Sequence, residues 1–84
     1  MVKPSKLYAA LLMTNSRSMS FRDFEKLLLA FGFVHARTTG SHRQYTHPLV
    51  PRSFPVQPEG KDAKRYQVRE LLELIEAHGL YIME

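Results

Sequence analysis

Hydrophobic positions change their period twice along the chain, and the changes mark out its elements. Pro4 precedes Lys6-Leu7-Tyr8-Ala9-Ala10-Leu11-Leu12-Met13, which reads as a short helix with proline in the first turn, where its missing N–H would have no partner in any case. Lys3 and Lys6 ahead of this apolar run imitate a truncated signal peptide, but the run is at the short end of that range and no small-x-small cleavage site follows. An ordinary first helix is the expectation. Thr14-Asn15-Ser16-Arg17-Ser18 is the linker that ends it. Ser20 with Asp23 has the Ser-x-x-Asp form of an N-cap, so a second helix starts at Phe21. Phe21, Phe24, Leu28 and Phe31 fall at steps of three, four and three, an apolar face for a core, and Gly32 stops the helix as a left-handed cap.

After Gly32 the period drops to two. Phe33 to Thr38 and His42 to His47 have the β-branched, aromatic and alternating character of strands, joined by Thr39-Gly40-Ser41 as a hairpin connection. Pro48 to Arg52 reads as a loop, and Ser53 to Gln57 as an edge-type strand, because Pro55 has no N–H for a ladder. Pro58-Glu59-Gly60-Lys61-Asp62 is the turn out of it. Val68, Leu71, Leu72 and Ile75 then restore helical spacing over Ala63 to His78, closed by Gly79. The order helix, helix, strand, strand, strand, helix predicts an α+β fold: a two-layer sandwich in which helices cover one face of a three-stranded antiparallel sheet. The other face is left to solvent or a ligand.

Alternation decides what that open face carries. Ser41, Arg43, Tyr45 and His47 share one side of the second strand, and His42, Gln44 and Thr46 the other. Tyr45 is the large side chain suited to pack under the helices, which turns His42 outward. Phe54 and Val56 point inward by the same logic, with Ser53 and Gln57 outward. An imidazole on an open face beside a Gly-Ser turn is a candidate general base or acid, because imidazoles exchange protons near neutral pH. From spacing alone, an exposed histidine without a role explains the pattern as well.

Composition narrows the partners. One domain is all that 84 residues support, and no apolar stretch approaches the ~20 residues a membrane helix needs. The chain has no cysteine, which excludes disulfides, thiolate zinc sites and a cysteine nucleophile and points to a reducing cytoplasm. The net charge of +4 resolves into +3 over residues 1–32, +5 over 33–69 and −4 over 70–84. A polyanion is therefore expected across the middle third, where His35, His42 and His47 also lie. Those histidines, set on alternating strand positions without an acidic partner nearby, do not make a metal site. No nucleophile elbow, P-loop or His-Glu-x-x-His is present.

Three stretches together carry a family pattern: Phe24-x-x-Leu27-Leu28-x-x-Phe31-Gly32-Phe33; Gly40-Ser41-His42-Arg43-Gln44-Tyr45-x-His47-Pro48; and Phe54-Pro55-Val56 followed by Gly60-Lys61-x-Ala63-Lys64-x-Tyr66-Gln67-Val68-Arg69. Over about residues 20 to 80 the chain resembles the HicA (YcfA-like) toxin family. The resemblance implies an α-β-β-β-α fold like that of double-stranded-RNA-binding domains, here with an extra N-terminal helix, so that residues 1–19 form helix and linker and 20–84 the HicA-like domain. It also implies a toxin ribonuclease that cleaves mRNA, needs no cofactor or metal, and is neutralised by a HicB antitoxin. The histidine of its Gly-Ser-His motif is catalytic, a role that passes to His42. At Arg43 and Gln57 the chain departs from members that carry histidine there. Cleavage through the ribose 2′-OH needs a proton acceptor, a donor for the leaving oxygen and positive charge for the phosphorane. Arg37, Arg43, Lys61, Lys64 and Arg65 are the candidates for phosphate contact, with Gly40 and Ser41 for backbone N–H groups. A non-catalytic RNA-binding module, or a protein-interaction domain using the acidic last helix or the Phe-rich second one, would share the same fold.

Overall fold

Ser20 starts the second helix as its sequence demands: in extended conformation, its hydroxyl accepts a 3.1 Å hydrogen bond from the Asp23 N–H. A computed structural model describes residues 3–13 and 18–82. Within them, α1 (Pro4–Met13) and α2 (Phe21–Ala30) are followed by β1 (Val34–Thr39), β2 (His42–His47) and β3 (Val50–Val56). A short hairpin of β4 (Pro58–Glu59) and β5 (Asp62–Ala63) leads into α3 (Arg65–His78). Of the linker expected at Thr14 to Ser18, residues 14–17 lie outside the described residues.

The three long strands form one antiparallel sheet in the order β1-β2-β3, with α2 and α3 packed on the same face. All five phenylalanines of the chain are buried between the layers. Phe24 meets Phe54 edge to face at 6.4 Å, and Phe33 lies 6.1 Å from Phe54, so α2 and the sheet share one aromatic core. From α3 come Val68, Leu71 and Ile75, with Leu72 only half-buried. Leu27 joins the α2 face at full burial, which makes that face wider than the Phe-Phe-Leu-Phe stripe alone. Outside this two-layer unit, α1 inserts Leu11 into the core and sets Tyr8 edge-on to Phe31, ring centroids 5.1 Å apart.

Three boundaries differ from expectation. β3 begins at Val50, inside the stretch read as a loop, because Val50 pairs with His47 and is buried. The strand accommodates Pro51 and Pro55 by lying at the sheet edge. The turn expected at Pro58 to Asp62 is a two-stranded hairpin whose tip, Gly60, has φ of 64°. Ala63 ends that hairpin instead of opening α3, since its N–H bonds the Met19 carbonyl while the Phe21 N–H bonds the Lys61 carbonyl. These bonds fasten the hairpin to the start of α2.

Replacing Ser20 by alanine removes one hydrogen bond and leaves the backbone pairing of this corner intact. Ser20→Ala lowers stability by about 1 kcal/mol, and Ser20→Gly by only a few tenths. Urea midpoints of the three proteins check this; equal losses for alanine and glycine would show that the hydroxyl does not cap α2.

Candidate RNA-binding and catalytic face

Register places His42. It opens β2 directly after the two-residue Gly40-Ser41 loop, and it pairs across the hairpin with Thr39. Gly40 has φ of 62° with open space where a Cβ would stand, so glycine is required there for backbone conformation and not for room. Side chains opposite one another in the ladder share a face. Thr39 with His42, Arg37 with Gln44, and Gln44 with Pro55 therefore define one side of the sheet. Thr38 with Arg43, His35 with Tyr45, and Tyr45 with Phe54 define the other. The first side faces away from the helices and is polar: Arg37, Thr39, His42 and Thr46 are exposed, and the Ser53 hydroxyl donates to Gln44 Oε1 at 3.2 Å.

Beneath the sheet a second polar group explains why β2 sits in this register. Glu25 projects from α2 and accepts the Tyr45 hydroxyl at 2.7 Å. The Arg43 guanidinium donates to both of its oxygens at 2.7 and 2.6 Å. Arg43 also lies over the Phe21 ring, 5.3 Å from its centroid. Burial first, then the hydrogen bond to Glu25 and the charge of Glu25, push the Tyr45 phenol far above its ordinary value of 10.0, with Arg43 opposing them. Arg43, a candidate for phosphate contact in the sequence, lies on the helix side of the sheet, opposite the face of its neighbour His42, and its guanidinium is paired with Glu25.

The other two strand histidines are occupied locally. His47 Nδ1 accepts the Leu49 N–H at 3.0 Å, so Nε2 carries the proton and donates to the Phe31 carbonyl at 2.9 Å. His35 stacks on Tyr45 and lies 2.9 Å from the Thr38 hydroxyl. His42 has neither kind of contact among the described residues. No group of three or more His, Cys, Asp or Glu converges as a metal site among them, and no described helix is long and apolar enough to cross a membrane.

Side-chain amides connect the His42 turn to α3. Gln57 Nε2 donates to the Ser41 hydroxyl oxygen at 2.9 Å, and Gln57 Oε1 accepts from Lys64 Nζ at 3.2 Å. Gln67, the one buried polar residue among those described, accepts the Gln57 N–H at 3.0 Å and donates to the Pro55 carbonyl at 3.1 Å. The sequence places Gln57 outward, but gives no sign of its bonds to Ser41 and Lys64 or of the burial of Gln67. Of the remaining candidates, Arg37 is on the open face, Lys61 at the β4–β5 tip and Arg65 at the first residue of α3, all exposed. The start of α3 carries Lys64 as its N-cap without a side-chain cap bond, and no acidic residue lies in its first turn. Cations at a helix N-terminus oppose the helix dipole, so this charge placement is not there for the helix's own stability.

The raised Tyr45 phenol sets a pH test. An acid whose folded value lies above its unfolded value stabilises the fold fully below the unfolded value, about 10 for tyrosine, and loses that contribution as pH rises past it. Tyr45→Phe destabilises the chain by about 1.5 kcal/mol near neutrality, through the lost bond to a carboxylate. The gap between variant and wild type narrows as pH rises from 9 to about 11. A gap that stays constant in urea titrations over that range would remove the phenol–carboxylate bond from the account.

No curated protein and no solved structure gave a match. A family model describing the HicA toxin of bacterial toxin–antitoxin systems matches residues 21–79. That span runs from the first residue of α2 to the glycine that closes α3, and so takes in the whole two-layer unit together with the Gly40-Ser41-His42 turn. On the strength of that match the chain belongs to the HicA toxin family.

Proposed function

We propose that the chain is a toxin ribonuclease that binds RNA, and mRNA in particular, on the open face of its sheet and cleaves it with His42 as the catalytic residue. The observation that carries this reading is the position of His42: exposed, on the polar face, beside the Gly40-Ser41 turn and in line with Arg37. In the proposed reaction the ribose 2′-oxygen attacks the adjacent phosphorus and the bond to the 5′-oxygen of the next nucleotide breaks. The 2′-hydroxyl loses its proton as it attacks, and the leaving oxygen gains one. His42 exchanges a proton with one of these oxygens. Lys64, Arg37, Arg65 and Lys61 offset the charge on the phosphate, and the Gly40 and Ser41 N–H groups are further donors at the turn. Arg43 serves the same site from below by fixing β2 to α2.

The proposal includes an antitoxin partner of the HicB type and action in the cytoplasm, both supported by membership of a toxin–antitoxin family. A non-catalytic RNA-binding domain is the second reading, favoured by one observation: of the described histidines on the sheet, only His42 lies on the open face.

His42→Ala abolishes cleavage of labelled RNA and toxicity on expression, with the thermal midpoint unchanged and with cleavage by the wild type insensitive to EDTA. A variant that cuts at the wild-type rate would overturn the role of His42, and a wild type that binds RNA without cutting it would establish the second reading. Affinity for a non-cleavable RNA falls steeply with salt: Lys64, Arg37, Arg65 and Lys61, each neutralising one phosphate, give a slope of about −3 in log K against log salt. A flat dependence would remove the basic surface from the binding site.

A further inference from the structure

We infer that Gln57 is a positioning residue whose side-chain amide holds the Lys64 ammonium beside the His42 turn, making Lys64 the phosphate contact paired with His42. This rests on the ribonuclease reading for its catalytic part, and on RNA binding alone for the rest.

The geometry is a chain of hydrogen bonds across three elements. Ser41 precedes His42 in the hairpin loop, Gln57 follows the last residue of β3, and Lys64 immediately precedes α3. Arg43 pairs with Val56 at the end of the β2–β3 ladder, so Gln57 leaves the sheet beside the start of β2. The Gln57 amide uses both ends: Nε2 donates to the Ser41 hydroxyl oxygen at 2.9 Å, and Oε1 accepts the Lys64 ammonium at 3.2 Å. Lysine is a flexible chain with three donors, and one of them on Gln57 Oε1 leaves two for a phosphate. A neutral amide is suited to this. A carboxylate at the same place would hold the ammonium more strongly but would spend its charge and repel the phosphate.

The chain of bonds is anchored from inside. Gln67 is buried, and its amide is engaged at both ends by the backbone at the end of β3, accepting from Gln57 N–H and donating to Pro55 C=O. A buried amide with both ends satisfied is rigid, because either bond broken leaves a polar group unpaired away from water. Gln67 therefore fixes the end of β3 against the first turn of α3, and Gln57 transmits that register to Lys64. The neighbouring cations lack such support: Arg37, Lys61 and Arg65 bond no carboxylate among the described residues. Lys64 is half-buried while those three are exposed.

The test is a double-mutant cycle on Gln57→Ala and Lys64→Met in the full-length chain. It is read twice: as affinity for a 2′-O-methyl RNA, which cannot undergo 2′-hydroxyl attack, and as the single-turnover cleavage rate of the unmodified RNA. Lys64→Met slows cleavage on the order of 100-fold, and Gln57→Ala about tenfold, with thermal midpoints within about 2 °C of wild type. The double variant is no slower than Lys64→Met, and Lys64→Met lowers the salt slope of binding by about 0.7 in the wild-type background but by less when Gln57 is alanine. Multiplicative rate losses, or a salt-slope change independent of residue 57, overturn the inference. Wild-type binding without cleavage removes the ribonuclease reading and leaves the salt-slope half of the cycle to decide the inference. A wild type that neither binds nor cleaves RNA overturns both.

Discussion

The Tyr45 hydroxyl on the Glu25 carboxylate is the contact on which the rest depends. Strand side chains alternate, and a slip of one residue would exchange every inward residue of β2 for an outward one. Tyr45 is nearly fully buried beneath α2, its phenol bonded to a carboxylate that Arg43 neutralises. Slipping the strand would expose the ring and leave Glu25 half-buried without donors, a combination of lost apolar burial and an unpaired charge. The position of His42 on the opposite face is the geometric consequence. The residue proposed for the chemistry is therefore set by a contact on the far side of the sheet.

The two faces divide the work. The helix side takes the five phenylalanines and the aliphatic residues of α3, and its polar atoms are confined to groups with partners; no buried side-chain nitrogen or oxygen among the described residues is left unbonded. Beside Val34 and Pro55, the open side takes hydroxyls, amides, one imidazole and Arg37, which bury little and suit a polar, hydrated ligand. Charge along α3 follows the same division. Lys64 and Arg65 stand at its start, and Glu73 and Glu76 in its second half. At about 1.5 Å per residue, Arg65 and Glu76 are some 16 Å apart along the axis, beyond the screening length of ~8 Å in physiological salt, so the acidic end does not cancel the basic one. Both placements run against the helix dipole, a local cost that Gln67 and the Val68-Leu71-Ile75 face offset through packing.

Much of this was legible in the residues. Ser20, Asp23 and Gly79 announce helix ends through local chemistry, and each acts as expected. The period-two pattern of β2 assigned His42 and Tyr45 to opposite faces without any knowledge of what lay above them. What was not legible is what depends on distance along the chain. Glu25 and Arg43 are 18 residues apart, and nothing local says that a carboxylate on one amphipathic helix will meet an arginine two elements later. Gln67 has the appearance of a solvent-facing residue until β3 presents it with an N–H and a carbonyl. β3 itself starts before Pro51 because an edge strand tolerates prolines that a central strand would reject, and strand order is a tertiary fact. Ala63 fits a helix start by composition, yet it belongs to a hairpin that Met19 and Phe21 capture through backbone bonds.

The most direct measurement of the face assignment is an NMR titration of the isotope-labelled chain with a non-cleavable 2′-O-methyl RNA. The account predicts shift changes at His42, Arg37, Gly40, Ser41, Gln57 and Lys64, on the open face and the start of α3, with the side chains of Glu25, Arg43 and Tyr45 unmoved. Changes centred on those three residues, or on the acidic half of α3, would contradict it.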